Sequence, residues 1–202
     1  MEKYRLSFTT GGLYFSECNK LADLYLALGD WAEVRKQAFE DNTLQTSTYS
    51  TQVRTYREAS LRLQQLGDAE LELFEDSSEQ DKRILLWLAV CRHYKFIEEF
   101  AVEVLREHFL VMNMSLTHQD YDVFFNRKAD WHPELDELSE STKNKLRQVL
   151  FRMLNEAGLL SKDNSIIPAI LNPRVARAIF QQSKSQPIIY PVSDADLGGL
   201  FS

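Results

Sequence analysis

The sequence predicts a mainly α-helical protein that has helix-turn-helix elements and ends in a winged-helix-like unit with a small β-hairpin. The first observation is composition. The 202 residues include only 7 Gly and 5 Pro, and four of the prolines follow residue 167, so helices with short connections can fill most of the chain. The second is the helical spacing of apolar residues in several segments. The third is the segment 141–167, where a helical pattern leads into a turn between two short apolar stretches.

Residues 1–75 are predicted to form an N-terminal helix-turn-helix-like domain. The segment 16–28 has apolar residues at helical spacing and is followed by Gly29, which fits a helix stop. A second helix over 31–40 and a third over 50–66 show the same spacing. The expected capping residues of the first two helices are Ser16 and Asp30.

The polar start of the third helix provides candidate contacts to nucleic acid, because hydroxyl and guanidinium groups bind phosphates. The alternative is a surface helix whose arginines pair with nearby acids. The segment 67–81, which holds seven acidic residues and no basic one, could supply those acids. The candidate contacts are Thr48, Ser50, Thr51, Arg54 and Arg57.

Residues 76–202 are predicted to form a helical core that carries the winged-helix-like unit at its C-terminal end. The most apolar region, 82–112, predicts one or two buried helices. A shorter helix is expected within 115–128, where Thr117 or Ser115 fits the capping position.

The segment 141–160 contains the clearest helical pattern of the chain. Its apolar residues recur three and four positions apart and therefore form one buried stripe. Ser139 or Ser141 fits the capping position, and Gly158 fits the helix stop. Two short apolar stretches then flank the polar residues 162–164, a pattern that predicts a hairpin.

Positive charge is concentrated in this part of an acidic protein. The chain has a net charge of −7, yet residues 141–187 hold eight Lys and Arg against two Asp and Glu. In a winged helix-turn-helix the last helix enters the DNA major groove by its N-terminal end. There Ser, Thr and Lys bind phosphates, while Asn and Lys can reach base edges. The alternative is an ordinary amphipathic helix with a basic solvent face. The candidate DNA-binding residues are Ser141, Thr142, Lys143, Asn144, Lys145, Arg147, Gln148, Arg152 and, on the turn, Lys162.

No group of residues predicts an active site, a metal site or a cofactor site, so the protein is expected to be a non-enzyme. The four His lack metal-ligand spacing, and the HQDYD segment at 118–122 fits a helix cap with solvated acids. Cys18 and Cys91 lie far apart, and Cys91 fits a buried thiol in an apolar helix. The longest apolar run, 84–91, is too short for a membrane span, and the N-terminus has no signal-peptide pattern. We therefore expect a cytoplasmic protein without membrane contact.

Three sequence blocks, SFTTGGLYFSE, LLWLAVCRHYKFIEEFAVEVL and STKNKLRQVLFRMLNEAGLL, together resemble the BrxA family. These are small proteins of the bacteriophage exclusion (BREX) defence systems of bacteria, and the likeness covers residues 4–171. The resemblance implies a helix-rich, non-enzymatic protein with helix-turn-helix elements. Such a protein would bind double-stranded DNA and act beside the methyltransferase and other components of the system. The matching basic positions are Lys143, Lys145, Arg147 and Arg152.

The leading hypothesis is a double-stranded DNA-binding component of a phage-defence system that contacts mainly phosphates. One alternative is a protein–protein adaptor within the defence complex. Phe151 favours the adaptor, because it is predicted on the outer face of its helix and exposed aromatic side chains are enriched at protein interfaces. The other alternative is an RNA-binding helical protein.

Overall fold

Helices form nearly all of the regular secondary structure in the computed structural model, which describes residues 3–182 and 186–199. This confirms the prediction of a mainly helical fold. The first five helices are α1 Phe15–Leu28, α2 Trp31–Glu40, α3 Tyr49–Leu63, α4 Asp68–Glu75 and α5 Glu79–His93. The next are α6 Lys95–Phe100, a π-helical segment Ala101–Arg106, α7 Glu107–Leu110, α8 His118–Ala129, α9 Pro133–Asp136 and α10 Glu140–Glu156. The last are α11 Pro173–Gln182, a 3-10 helix Gln186–Ile189 and α12 Asp194–Gly199.

Side-chain caps begin several helices where the sequence predicts them. The Asp30 carboxylate accepts the backbone N–H groups two and three residues further on, at 2.7 and 3.0 Å. Thr117 and Ser139 cap α8 and α10 in the same way. Gly29 ends α1 in the left-handed conformation, with φ of 69°. The prediction that Ser16 caps α1 is wrong, because the helix already begins at the preceding residue.

α5 lies at the centre of the hydrophobic core. Every residue from 84 to 91 is buried, because neighbouring helices pack on this helix from several sides. The C-terminal segment also closes over it: Trp87 Nε1 donates to the Ile189 carbonyl at 3.1 Å, and the Tyr190 hydroxyl donates to the Ile84 carbonyl at 2.9 Å. One hydrophobic cluster of the described residues includes side chains from both predicted domains. The domain boundary itself stays a prediction.

The most apolar region folds into four consecutive pieces, α5, α6, the π-helical segment and α7, where the sequence predicts one or two helices. Tyr94 breaks the path between α5 and α6 with φ of −121° and ψ of 95°. Its buried hydroxyl donates to Glu58 of α3 at 2.7 Å. The break therefore lets one side chain link the central helix to the N-terminal helices.

Across the described residues, no helix combines the length and the apolar character that a membrane crossing requires.

The segment after α10 forms a tight turn with isolated β-bridges. Leu160 pairs with Ile166, and Ser165 pairs with Ser115. Asn164 takes a positive φ of 61°, which lets the chain reverse. The described residues contain bridges but no regular strand, so the β-hairpin is not confirmed and the winged-helix-like unit stays a prediction.

Candidate nucleic-acid interface

The outer face of α10 presents a row of exposed polar side chains, which we call the α10 row. Its members are spaced three or four residues apart and lie opposite the buried stripe that packs on the core. Lys145 makes no hydrogen bond or ion pair within the described part of the chain, so its ammonium group faces solvent without a counter-charge. The α10 row consists of Ser141, Asn144, Lys145, Gln148 and Arg152.

The N-terminal end of α10 combines a side-chain cap with three clustered hydroxyl groups. Ser139 Oγ accepts the backbone N–H of Thr142 at 3.3 Å, and the hydroxyls of Ser141 and Thr142 each lie 3.0 Å from it. The remaining N–H groups of the first turn and the helix dipole favour an anion at this end. Glu140 is the first helical residue and opposes that preference, because its carboxylate is exposed there.

Two of the predicted cations turn towards α8 and lie outside the α10 row. Lys143 Nζ lies 5.7 Å from the ring centroid of Phe125 in α8 and 3.1 Å from Glu140, and its side chain is 27% exposed. Arg147 Nη1 donates to both carboxylate oxygens of Asp122 at 2.6 and 2.7 Å, and its side chain is 22% exposed. These carboxylates compensate part of the positive charge that the sequence concentrates on α10. The charge available to a polyanion is therefore smaller than a residue count implies.

Arg152 is held by the Gly11–Gly12 loop at the other end of the row. Its Nη1 donates to the Gly11 carbonyl at 3.0 Å, and a neutral carbonyl leaves the positive charge uncompensated. The same loop receives two further contacts: Arg62 donates to the Gly12 carbonyl at 2.6 Å, and Glu156 accepts the N–H that follows Gly12. The loop thus connects α3 with α10, the two helices that carry predicted DNA contacts.

Lys162 lies on the turn after α10, separate from the α10 row. Its side chain is exposed and makes no hydrogen bond or ion pair among the residues that the structure describes. The neighbouring Asp163 is held by the hydroxyls of Ser161 and Ser165, which lower the pKa of its carboxyl group. An anionic neighbour therefore accompanies the cation that is predicted to contact DNA from the turn.

The predicted N-terminal contacts gather at the start of α3. Thr48 caps this helix by accepting the Thr51 N–H at 3.2 Å, and its hydroxyl lies 3.3 Å from that of Ser50. Arg54 and Arg57 are exposed, and their guanidinium groups make no hydrogen bond or ion pair within residues 3–182 and 186–199. Both arginines therefore keep their positive charge uncompensated.

The acidic segment 67–81 does not neutralise the arginines of α3. Its buried carboxylate, Glu70, binds Arg92 of α5 at 2.6 Å. Glu79 lies 3.5 Å from Arg83 on its own helix. No ion pair among the described residues joins this segment to the two exposed arginines at the start of α3, so the contacts of the structure do not favour that alternative.

The prediction that Phe151 is exposed is wrong. The side chain is only 7% exposed, because the ring of His118 from α8 packs edge-on against it with 4.7 Å between ring centroids. The two carboxylates of the HQDYD segment have structural partners as well. Asp120 accepts the Thr117 N–H at 2.7 Å, and Asp122 binds Arg147. Within the described residues, no group of three or more His, Cys, Asp or Glu is placed to hold a metal ion.

A cavity of about 560 Å³ between the N-terminal segment, α2, α3 and the end of α5 was not predicted. Arg5, Arg35, Arg57 and His93 line it. Burial, followed by the nearby guanidinium of Arg5, lowers the pKa of His93 to about 4. The four residues come from four separate elements, so no spacing in the sequence signals that they meet. Only Arg57 belongs to the predicted contacts.

Comparison with known proteins identifies the family. A model of the BrxA family matches residues 2–183, nearly the whole sequence. The chain belongs to the BrxA family. The family resemblance of the three sequence blocks is thereby confirmed.

Curated BrxA proteins and one solved structure are similar to this chain over most of its length. BREX protein BrxA of Escherichia coli O9:H4 (strain HS) is 25% identical over 187 residues, which cover 93% of this chain and 84% of the relative. BREX protein BrxA of Bacillus cereus (strain H3081.97) is 28% identical over 158 residues, 78% of each chain. The crystal structure of an uncharacterized protein from Magnetospirillum magneticum aligns with a TM-score of 0.78 and 21% identity, over 93% of this chain and 97% of that one. This structural likeness shows that the two share a fold.

Proposed function

We propose that this BrxA-family protein is a non-enzymatic component of a bacterial BREX phage-defence system and binds double-stranded DNA mainly through phosphates. The names of its curated relatives support the BREX assignment. The single observation that carries the DNA assignment is the α10 row, an exposed set of hydrogen-bond donors beside a capped helix N-terminus. The proposal places the protein in the cytoplasm, with other BREX proteins as further partners.

Side-chain chemistry determines which residues of α10 contact phosphates and which contact bases. Lys145, Arg152 and the hydroxyls at the helix start bind phosphate oxygens, which position the protein without reading sequence. Asn144 and Gln148 are the members of the row that can form paired hydrogen bonds with adenine. In the winged-helix interpretation, Lys162 contacts the sugar–phosphate backbone of the DNA from the turn after α10. Because most of these contacts go to phosphate, sequence preference is weak.

DNA binding is preferred over the adaptor alternative because of the position of Phe151. The adaptor rests on an exposed aromatic side chain on α10, and this side chain is buried against α8. The exposed arginines Arg54 and Arg57 on α3 favour a second phosphate contact region. A duplex that reached both helices would pass beside the Gly11–Gly12 loop that connects them.

The salt dependence of binding tests the proposal. Fluorescence anisotropy of a labelled duplex is recorded with the full chain at increasing salt concentration. The logarithm of the association constant should fall linearly with the logarithm of salt concentration, by about 0.9 per phosphate neutralised. Binding that is insensitive to salt would contradict phosphate contacts. An unlabelled RNA duplex serves as competitor, and stronger displacement by RNA than by DNA would favour the RNA-binding alternative.

A charge reversal in the α10 row tests the site. Lys145→Glu should weaken DNA binding and reduce the magnitude of the salt slope by at least roughly 1, since one phosphate contact is lost. The matched control is Arg174→Glu, which changes the charge equally at an exposed position of α11 in the same basic segment. If the two variants lose the same affinity, only the total charge matters and the assignment to α10 is wrong.

A further inference from the structure

We infer that the cavity lined by Arg5, Arg35 and Arg57 is a binding site for a nucleotide that carries a phosphate monoester. The site lies beside α2 and α3 and is separate from the α10 row. The inference goes beyond DNA binding by α10 and does not depend on it. The volume of the cavity, about 560 Å³, lies within the range of roughly 300–1,000 Å³ that is typical of small-molecule sites.

The positive charges around the cavity favour an anionic ligand. Three guanidinium groups border it, and its lining includes no Asp or Glu. The guanidinium groups of Arg35 and Arg57 form no hydrogen bond or ion pair within the described part of the chain, and that of Arg5 hydrogen-bonds to the ring of His93, at 3.1 Å. Guanidinium groups bind phosphate in paired, charge-assisted hydrogen bonds. A phosphate monoester offers enough oxygens to engage more than one of them.

The apolar residues of the cavity lining favour a flat apolar group beside the anion. Phe39, Val53 and Leu61 line the cavity beside the arginines. Arg35 stacks over the Phe39 ring with 5.4 Å between its guanidinium carbon and the ring centroid, and the Tyr56 ring packs edge-on against Phe39 at 5.5 Å. Aromatic rings and guanidinium planes both stack on nucleobases. A phosphate beside a base therefore matches the combination of guanidinium groups and apolar side chains in the lining better than inorganic phosphate alone.

The His93 ring in the cavity lining remains neutral at physiological pH. Burial, followed by the positive charges of Arg5, Arg62 and Arg57, lowers its pKa. Its ring therefore accepts a hydrogen bond from Arg5 instead of adding a further charge. Ser7 also lines the cavity, and its hydroxyl lies 3.2 Å from that of Tyr94. Glu58 is bound to Tyr94 and does not line the cavity.

Isothermal titration calorimetry of the full chain tests the assignment with three probes: adenosine monophosphate, adenosine and inorganic phosphate. Adenosine monophosphate should bind at one site per chain, at least about tenfold more tightly than either fragment, because adenosine lacks the phosphate that the guanidinium groups bind and inorganic phosphate lacks the base that stacks on the lining. Absence of heat with adenosine monophosphate, or equal binding of inorganic phosphate, would overturn the assignment.

A matched pair of variants locates the site. Arg35→Gln with Arg57→Gln should weaken adenosine monophosphate binding by about tenfold or more. Arg54→Gln, one turn from Arg57 on α3 and equally exposed, does not line the cavity and should leave binding unchanged. Equal losses in both proteins would refute the site. The guanidinium groups of Arg35, Arg54 and Arg57 make no hydrogen bond or ion pair within the described chain, and Arg35 loses only its stacking on Phe39. Thermal unfolding should therefore change little and serves to show that the variants fold.

A competition experiment identifies the source of the nucleotide. A short single strand with a 5′-phosphate is compared with the same strand ending in a 5′-hydroxyl. If the phosphorylated strand alone displaces adenosine monophosphate, the cavity takes strand ends; if neither does, it takes free nucleotides. Either result supports a phosphate monoester, while equal displacement by both strands contradicts it. Lys145→Glu should bind adenosine monophosphate normally, so failure of this site and failure of the α10 row are distinguishable.

Discussion

Arg62 shows how one buried side chain can fix the position of a loop beside a candidate binding surface. It is fully buried, donates to the Gly12 carbonyl at 2.6 Å, lies 3.6 Å from Glu58 and stacks on the Tyr14 ring. A buried guanidinium is stabilised only when charge and hydrogen bonds surround it. The carboxylate, the carbonyl and the ring supply part of these interactions, while Nε and Nη2 are buried without a hydrogen-bond partner among the described residues. Because the buried cation needs the Gly12 carbonyl as a partner, Arg62 holds the N-terminal loop against α3.

Gly12→Ala should destabilise the fold at this point. A methyl group at position 12 would lie 2.3 Å from a carboxylate oxygen of Glu156. That carboxylate can move away only by giving up the backbone N–H of Leu13, and an unsatisfied buried group costs about 1–3 kcal/mol. Urea unfolding of the two proteins measures the loss. The control is Gly198→Ala, where the added methyl group meets no atom within 4 Å. Equal stability of the position-12 variant and the parent would show that the loop adjusts freely.

At the scale of elements, α10 has three differently used faces. One face packs on the core, a second turns Lys143 and Arg147 towards α8, and the third is the exposed α10 row. Helical periodicity distinguishes the first face from the others. The division between the second and third depends on where α8 lies. The DNA proposal rests only on the third.

Ser139→Ala should destabilise α10 by about 1 kcal/mol, because the helix loses its side-chain cap. Ser139 accepts the Thr142 N–H at 3.3 Å, and no other side chain of the described residues caps the start of this helix. The midpoint of urea unfolding reports the change. Ser141→Ala is the matched control, since the hydroxyl of this exposed residue contacts the capping hydroxyl but no backbone group of the described chain. A larger loss in the control would contradict the assignment of the cap.

At the scale of the whole molecule, uneven charge lets an acidic protein present cationic surfaces. The net charge is −7, but several acidic side chains form ion pairs within the molecule, such as Glu70 with Arg92 and Asp122 with Arg147. Arg54, Lys145 and the cavity arginines keep their charge towards solvent. Net charge describes solubility and long-range association, whereas a binding surface depends on local charge.

The global stability should fall as the pH decreases from about 6.5 to about 4 through the titration of His93. Its pKa is about 4 in the fold, against an ordinary value of 6.5, so the unfolded chain takes up a proton first. The loss should be on the order of 2 kcal/mol, since one pKa unit corresponds to about 1.4 kcal/mol and solvent in the open cavity screens part of it.

Urea unfolding at pH 7 and pH 4 compares the parent protein with His93→Gln, which cannot titrate there. Carboxyl groups contribute equally to both proteins, so the difference between the two pH dependences isolates His93. Identical pH dependences would show that His93 has an ordinary pKa in the fold.

Local interactions explain which features could be predicted from the sequence. Asp30, Thr117, Ser139 and Gly29 act at helix ends through their own and adjacent backbone groups. Residue type and position therefore predict Asp30 and Gly29 and narrow the caps of α8 and α10 to two candidates each. The buried stripe of α10 follows from the geometry of one helix. The fold class and the row of exposed donors on α10 were therefore accessible without a structure.

The remaining features depend on residues that are distant in the sequence. His118 covers Phe151, Asp122 compensates Arg147, and the cavity joins arginines from three elements. Each case involves a neighbour supplied by another helix, and helical periodicity carries no information about which helix that is. The sequence by itself determined a helical protein with a basic, capped helix near its C-terminal end. Only the tertiary structure decided which cations stay free and which converge on a cavity, because burial and ion pairing depend on packing between elements.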